Sequence, residues 1–384
     1  MSDWHIPLSD LDYGPEEEAA VLRVLKTRWL SMGPEVQAFE REFAELVGVK
    51  HAFAVSNGTA ALHLSYLALG LGPGDEILQP AINFVAAANM TVAVGATPVF
   101  SDIIGIEQPT IDPVDLEKRI TSKTRAVVVM HYGGFLCRMA EISAICKRQG
   151  LFLIEDACHA VGARYLDQQT RYPHNEMAGT LGDISAFSFF SNKNLPTGEG
   201  GMVTTNRDDL ADRIRLLRSH GMTTLTWDRH KGHASTYDVV RHGYNYRFHE
   251  IGAALGRCQL AKLDFNNQRR RELVSTYRHN LNSTAGWTIP FGDYFGDSAC
   301  HLMAVVAPSE DVRLKTVERF MKHKIQTSLH YPFLPRLSAF RRYHAEGLAH
   351  SISFASRVIT LPLFPTLSLS GVKEICSLIA QSAE

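Results

Sequence analysis

Little in this chain is lopsided, and each missing imbalance removes a class of function. Lys and Arg number 39 and Asp and Glu 40, which leaves a formal net charge of −1. A nucleic-acid-binding chain shows a basic excess or a dense basic stripe, and neither is present, so no nucleic-acid partner is expected. The cluster Arg269-Arg270-Arg271 reads as the solvated face of a helix. No uninterrupted apolar stretch approaches the length that spans a bilayer, so no membrane partner is expected. The first fourteen residues, MSDWHIPLSDLDYG, carry acidic groups where a signal peptide has positive charge and then an apolar run. Cysteine is sparse: six residues, at 137, 146, 158, 258, 300 and 376, with no CxxC pair. A disulfide framework is therefore not expected, and a reducing cytoplasm is the default location. No metal site, internal repeat or low-complexity tract is read from the sequence. With almost no net charge, little electrostatic repulsion opposes self-association.

What is present is ordinary globular composition, 45% hydrophobic and 21% charged over 384 residues, enough for two domains and a large core. Seven short apolar runs rich in β-branched and aromatic residues predict strands at 52–55, 76–79, 98–102, 126–130, 151–155, 185–190 and 202–205. Helical patterns at 59–70, 84–94, 113–120 and 139–149 separate most of them. This alternation predicts an α/β fold: a mostly parallel seven-stranded sheet flanked by helices on both faces. The last two strands are joined by a short segment instead of a helix, which predicts one antiparallel member. A helix over 207–221, capped by Asn206 or Asp208, and a long one from His249 to about residue 270 follow. Beyond them, strands within 299–307 and 325–331 and helices at 311–323 and 370–382 predict a smaller C-terminal α/β domain.

Four segments carry candidate chemistry. In SNKNLPTGEGGMV, Lys193 follows a strand and precedes glycines that permit close backbone approach. Such a lysine can form an imine with an aldehyde cofactor, and desolvation shifts its pKa readily; taken alone it reads rather as a surface lysine in a Gly-rich turn. In IEDACHA, Asp156 ends a strand, where ligands of α/β sheets bind. There it can pair with a ring nitrogen, with His159 close by, or merely cap a helix. SNGTAAL joins a strand to a helix start, a ready anion site or a plain N-cap. GYNYRFHEIGAALG sets Asn245 and Arg247 among aromatics before a helix, which could serve an anion contact at an interface but by itself reads as core packing with Arg247 paired to a carboxylate. By contrast GLGPG (70–74) follows a helix and precedes a strand, the wrong order for a dinucleotide fingerprint, and reads as a turn.

In order along the chain these segments resemble the DegT/DnrJ/EryC1/StrS aminotransferases, pyridoxal-phosphate-dependent sugar aminotransferases of fold-type I. The similarity runs from RWLSMGPEVQAFEREFAELVGVKHAFAVSNGTAALHL through GDEILQPAINFVAAAN, IEDACHA, GDISAFSFFSNKNLPTGEGGMVTTN, RSHGM and YNYRFHEIGAALG to IQTSLHYP and LPLFPTLS. It implies an N-terminal arm and large cofactor-binding domain over 1–260 and a small domain over 261–384. Lys193 matches the family's Schiff-base lysine, and Asp156 the partner of the pyridine nitrogen. His159 stands near the cofactor's phenolic oxygen, and Phe84 matches the aromatic stacked on the ring. Gly58, Thr59 and Ser188 match phosphate contacts from one subunit, and Asn245 the contact donated by its partner. Leu30, Met32, Arg247, His330 and Tyr331 are implied near the sugar-nucleotide pocket. The implied activity is amino-group transfer from L-glutamate to a nucleotide-linked keto-sugar, in amino-sugar biosynthesis for polysaccharide or antibiotic. The implied assembly is a cytoplasmic homodimer with shared sites.

Two departures stand out: Cys158 where alanine is common, and a stretch at 164–183 longer than the usual hairpin. Retained Lys193 favours transamination over the dehydratase branch, which has His there. Alternatives are a cyclitol ketone as acceptor, a non-catalytic cofactor-binding regulator, and an oxidoreductase.

Overall fold

The strand-forming runs become a seven-stranded sheet in the computed structural model, which describes residues 3–165, 176–224, 227, 230–232, 236–282, 284–292 and 297–381. Its strands are β1 (His51–Val55), β2 (Glu76–Pro80), β3 (Thr97–Ser101), β4 (Thr124–Met130), β5 (Phe152–Asp156), β8 (Ile184–Ser188) and β9 (Gly201–Thr205). A small antiparallel ribbon, β6 (Arg164–Tyr165) with β7 (Glu176–Met177), lies between β5 and β8 in the chain. It closes the expected long loop at its two ends; residues 166–175 of that loop lie outside the described residues. The sheet order is β1-β9-β8-β5-β4-β2-β3. β9 is antiparallel to both neighbours and the remaining pairings are parallel, as the missing crossover helix predicts.

Both faces are covered, which is why the strands are near-continuous apolar runs. Adjacent residues point to opposite faces. Ile77, Val128 and Ile154 pack under α3 (Gly58–Leu69), α4 (Ala86–Ala93) and α7 (Asp208–Leu217). Leu78, Val127 and Leu153 pack under α5 (Pro113–Lys118) and α6 (Met139–Gln149). α1 (Pro15–Thr27) and α2 (Pro34–Val47) lie against α8 (Glu250–Leu281), and Phe39 and Phe43 of α2 fill the core beside Phe187 and Phe189. The N-terminus of α2 has no side-chain cap of its own. Buried Glu250 supplies one, its carboxylate accepting from the amides of Gly33 (2.8 Å), Glu35 (3.0 Å) and Val36 (3.0 Å).

α8 is unbroken for 32 residues, so a boundary at 260/261 falls inside it. Beyond it β10 (Met303–Val306) and β11 (Val358–Leu361) pair antiparallel, with α9 (Glu310–Lys322), α10 (Ala349–Arg357) and α11 (Leu369–Ala380) around them. The N-terminal stretch joins this region: Ile6 bridges Ile325, and the Leu363 amide bonds the Leu8 carbonyl at 3.1 Å.

Four local expectations are corrected. α7 ends at Leu217, and neither Asn206 nor Asp208 caps it. Asn206 instead accepts the Lys50 amide at 2.9 Å and Asp208 pairs with His51 at 2.7 Å, tying the helix start to β1. No strand forms over 325–331; Ile325 and Ser328 make only isolated bridges, and Pro332 brings no amide to continue a ladder. α10 and β11 arise where no element was predicted, both being short. Arg270 is not solvated. It lies on the inward stripe of α8 with Leu263, Asn267, Leu273 and Val274, and its guanidinium donates to the Leu363 carbonyl at 2.9 Å. Burial pushes its pKa down to about 10. All six cysteines are free, and among the described residues no helix is long and apolar enough to cross a membrane.

Candidate active site

Parallel strands end together, so the loops after them enclose a crevice at their carboxyl ends. Here that crevice is a cavity of about 670 Å³, in the range of small-molecule sites. Asp156, the last residue of β5, reaches it from the floor. Its carboxylate accepts the Cys158 amide at 3.2 Å. Burial pushes its pKa up, while Lys193 and His131 pull it back. Its neighbour Glu155 faces the other side of the sheet and accepts from Gly179, Leu181, Gly182, Ser185 and His131, all within 3.0 Å. That carboxylate is saturated by donors that hold the 177–185 turn. Asp156, held only by Cys158 among the described residues, faces the cavity and is available to a ligand.

Lys193 enters from the turn after β8, where its amide bonds the Phe190 carbonyl at 2.8 Å. Desolvation lowers its pKa, opposed by the Cys158 and Asp156 charges. The next residue turns away and anchors the loop: Asn194 donates to Asn267 of α8 and to the Ala299 carbonyl, both at 2.7 Å, and its oxygen faces His301 Nδ1 at 3.0 Å.

The third wall is the start of α3. Asn57 caps it, its side chain taking the Ala60 amide at 2.8 Å and its carbonyl the Ala61 amide at 3.1 Å. The amides of Gly58 and Thr59 are left as the first orphan donors of a helix whose dipole favours an anion. Only glycine fits at 58: a Cβ there would lie 2.9 Å from Ser188 Cβ and 3.2 Å from Cys158 Sγ. Gly201 is required likewise, because a Cβ would lie 2.6 Å from the Asn57 carbonyl. These two positions press β9, β8 and the turn before α3 together, and Ser188 stands beside the amides.

The roof is aromatic. Phe84, half exposed, faces Tyr331 with ring centroids 5.9 Å apart. Tyr331 is in turn bonded to His159 Nε2 at 2.8 Å. His330 lines the same space; burial and the Lys193 charge pull its pKa down to about 4.

Of the residues singled out in the sequence, Gly58, Thr59, Phe84, Asp156, His159 and Ser188 thus share one cavity with Lys193, His330 and Tyr331. Four do not line it. Asn245 is exposed outside it, and Arg247 donates to Ser219 Oγ at 3.1 Å. Leu30 is surface-exposed, and Met32 is buried in the core beside Phe39. Asn83, Met130, Phe190 and Tyr246 line the cavity without having been singled out. Met130 ends β4 and Asn83 follows β2, so the rule that selected Asp156 also applies to them. Asn83 is buried, and among the described residues its amide nitrogen has no partner, a donor left for a ligand.

An anionic aldehyde suits this donor set: an amine of lowered pKa, a buried carboxylate with spare acceptor capacity, and orphan amides at a helix start. Comparison with known proteins agrees. The model of the DegT/DnrJ/EryC1/StrS aminotransferase family matches residues 12–380. The spore coat polysaccharide biosynthesis protein SpsC of Bacillus subtilis is 39% identical over 372 residues, 94% of this chain and 93% of its own. Among solved structures, Helicobacter pylori PseC, an aminotransferase involved in the biosynthesis of pseudoaminic acid, superposes with a TM-score of 0.89 at 29% identity, covering 98% of each chain. The PLP-form of Spr1654 from Streptococcus pneumoniae, a sugar aminotransferase by its description, does so with a TM-score of 0.89 at 25% identity, again over 98% of each chain. With a lysine, a carboxylate and a helix start converging as that chemistry requires, the chain belongs to the DegT/DnrJ/EryC1/StrS aminotransferase family and is a pyridoxal-phosphate-dependent aminotransferase.

Proposed function

We propose that this protein moves an amino group from L-glutamate to the keto group of a nucleotide-linked sugar, with pyridoxal phosphate held at Lys193. The observation that carries the reading is the convergence of Lys193, Asp156 and the amides at the start of α3 on one cavity. The similarity to SpsC and PseC, named for polysaccharide and pseudoaminic acid biosynthesis, supports a sugar as the acceptor. Six free thiols suit a reducing cytoplasm.

When bound, the cofactor supplies an aldehyde and an electron-withdrawing ring. Lys193 Nζ would hold it covalently, and Asp156 would keep its ring nitrogen protonated. That cation would draw the Asp156 pKa back down, because an opposite charge favours the ionised carboxylate. Gly58, Thr59 and Ser188 would receive the phosphate, and Phe84 would cover the ring. Lys193 Nζ would also take up and release a proton in the cavity, and its lowered pKa leaves more of it neutral near pH 7. Asn245, exposed outside its own cavity, would complete the phosphate site of a second subunit in a homodimer with two shared sites.

The test is reduction with borohydride. Protein incubated with pyridoxal phosphate should acquire a visible absorbance that borohydride bleaches, leaving the cofactor mass on the peptide containing Lys193. Label elsewhere, or none, sinks the assignment. A panel of keto-sugar nucleotides and cyclitol ketones with L-glutamate, read as 2-oxoglutarate formed, then identifies the acceptor class; turnover confined to cyclitols would refute the sugar.

A further inference from the structure

The cavity contains a buried hydroxyl proton that no described residue accepts. The neighbours of His159 fix its tautomer. The Gly133 amide donates to His159 Nδ1 at 3.4 Å, so that nitrogen is an acceptor and the ring proton sits on Nε2. Nε2 lies 2.8 Å from the Tyr331 hydroxyl and therefore donates to it. Having accepted there, the Tyr331 oxygen turns its own proton elsewhere. Tyr331 is only 8% exposed and lines the cavity, and among the described residues nothing takes that proton.

The imidazole is held in place from behind. The ring of His301 lies 4.4 Å from that of His159, and Asn194 fixes His301 in turn. Burial keeps His159 neutral and raises the Tyr331 phenol well above its usual range, so neither group loses this polarity near neutral pH.

We propose that Tyr331 is a fixed hydrogen-bond donor to an oxygen of the molecule bound over Lys193, and that His159 is the positioning residue that sets its direction. The acceptor this donor recognises is a carbonyl or phenolate oxygen. Two sources offer one: the ring oxygen of the cofactor, and the keto oxygen of the substrate. The proposal rests on the reading that the cofactor is held at Lys193, and it changes one part of it. His159, matched by resemblance to a residue near the phenolic oxygen, already spends its Nε2 proton on Tyr331, so Tyr331 is the group that meets the ligand. If Tyr331 were merely a packing partner of Phe84, its hydroxyl would be dispensable.

The experiment compares cofactor-loaded wild type with Tyr331→Phe, His159→Phe and His159→Gln. Borohydride labelling of Lys193 in wild type reports on the underlying reading alone; if it fails, both proposals fall. With labelling intact, two readouts follow: the midpoint pH of the visible absorbance change, and kcat and KM for the pyridoxamine-phosphate form acting on 2-oxoglutarate. If Tyr331 meets the ring oxygen, Tyr331→Phe raises the midpoint by about one unit, because a donor stabilises the deprotonated oxygen. If it meets the keto oxygen, the midpoint stays and kcat falls about tenfold or more with KM within about threefold. Either result supports the proposal. A Tyr331→Phe protein unchanged in both overturns it. His159→Phe should reproduce the Tyr331→Phe change, and His159→Gln, whose amide can still donate to the hydroxyl, should largely restore wild-type behaviour. If His159→Phe matches wild type while Tyr331→Phe does not, the positioning role is refuted.

Discussion

Two neutral imidazoles, His159 and His330, line the cavity and a third, His301, lies behind His159; burial lowers the pKa of each below that of a free histidine. Their folded-state values lie below the unfolded one, so between the two the unfolded chain binds more protons. Their contribution is therefore level above about pH 7 and is lost as pH falls toward about 4, the value for His330. For His330 alone the loss at pH 5 is about 2 kcal/mol. Urea midpoints of the wild type should drop from pH 7.5 to pH 5, and His330→Asn should flatten that drop; an unchanged slope refutes the assignment. At this scale the sequence was readable where chemistry follows position. Asp156 could be found because it ends a strand. Glu155, beside it, could not be told from a ligand group, because its five donors, His131 before it and four from residues 179–185 after it, all lie more than twenty positions away. The Tyr331–His159 pair, 172 positions apart, leaves no spacing to read.

At the scale of elements, helix ends show how far folding exceeds local propensity. α10 has Leu348 at its N-cap with no side-chain cap of its own. Asp102, just beyond β3, replaces one: its carboxylate accepts the amides of His350 at 3.0 Å and Ser351 at 2.7 Å, and it is 4% exposed. One carboxylate thus fastens the sheet to the C-terminal region. Asp102→Ala should cost about 1–2 kcal/mol, the usual value of a lost cap, and Asp102→Asn, which keeps an acceptor, should cost less. Thermal melts of the two variants check the ranking, and equal Tm values would contradict it. The cap that was legible, in SNGTAAL, is Asn57, three residues from the amide it binds. Asp102 and Glu250 cap helices more than two hundred positions away, which no sequence window contains. The same reason hid Arg270: three consecutive arginines look solvated until α8 is seen to be packed along that stripe.

For the whole molecule, the alternation of strands and helices was enough to foresee a mostly parallel sheet with one antiparallel strand, while the strand order came only with the structure. Whether a single chain completes the site is a question about assembly. Asn245 is exposed and outside its own cavity. Asn245→Ala should lower cofactor retention. Mixed in equal amounts and reassorted, Asn245→Ala and Lys193→Ala subunits should regain about a quarter of wild-type activity, since half the dimers are mixed and each holds one intact site. No recovery after confirmed exchange would refute shared sites. The sheet order also has a consequence in time. β1, the first strand synthesised, has β9, the last of the seven, as its neighbour in the sheet, and Gly201 meets Asn57 at that seam. A nascent chain emerging from the ribosome must therefore carry β1 and α3 without a sheet partner until residue 205 is out. The cofactor cavity then closes late, and its two oldest walls wait on its newest.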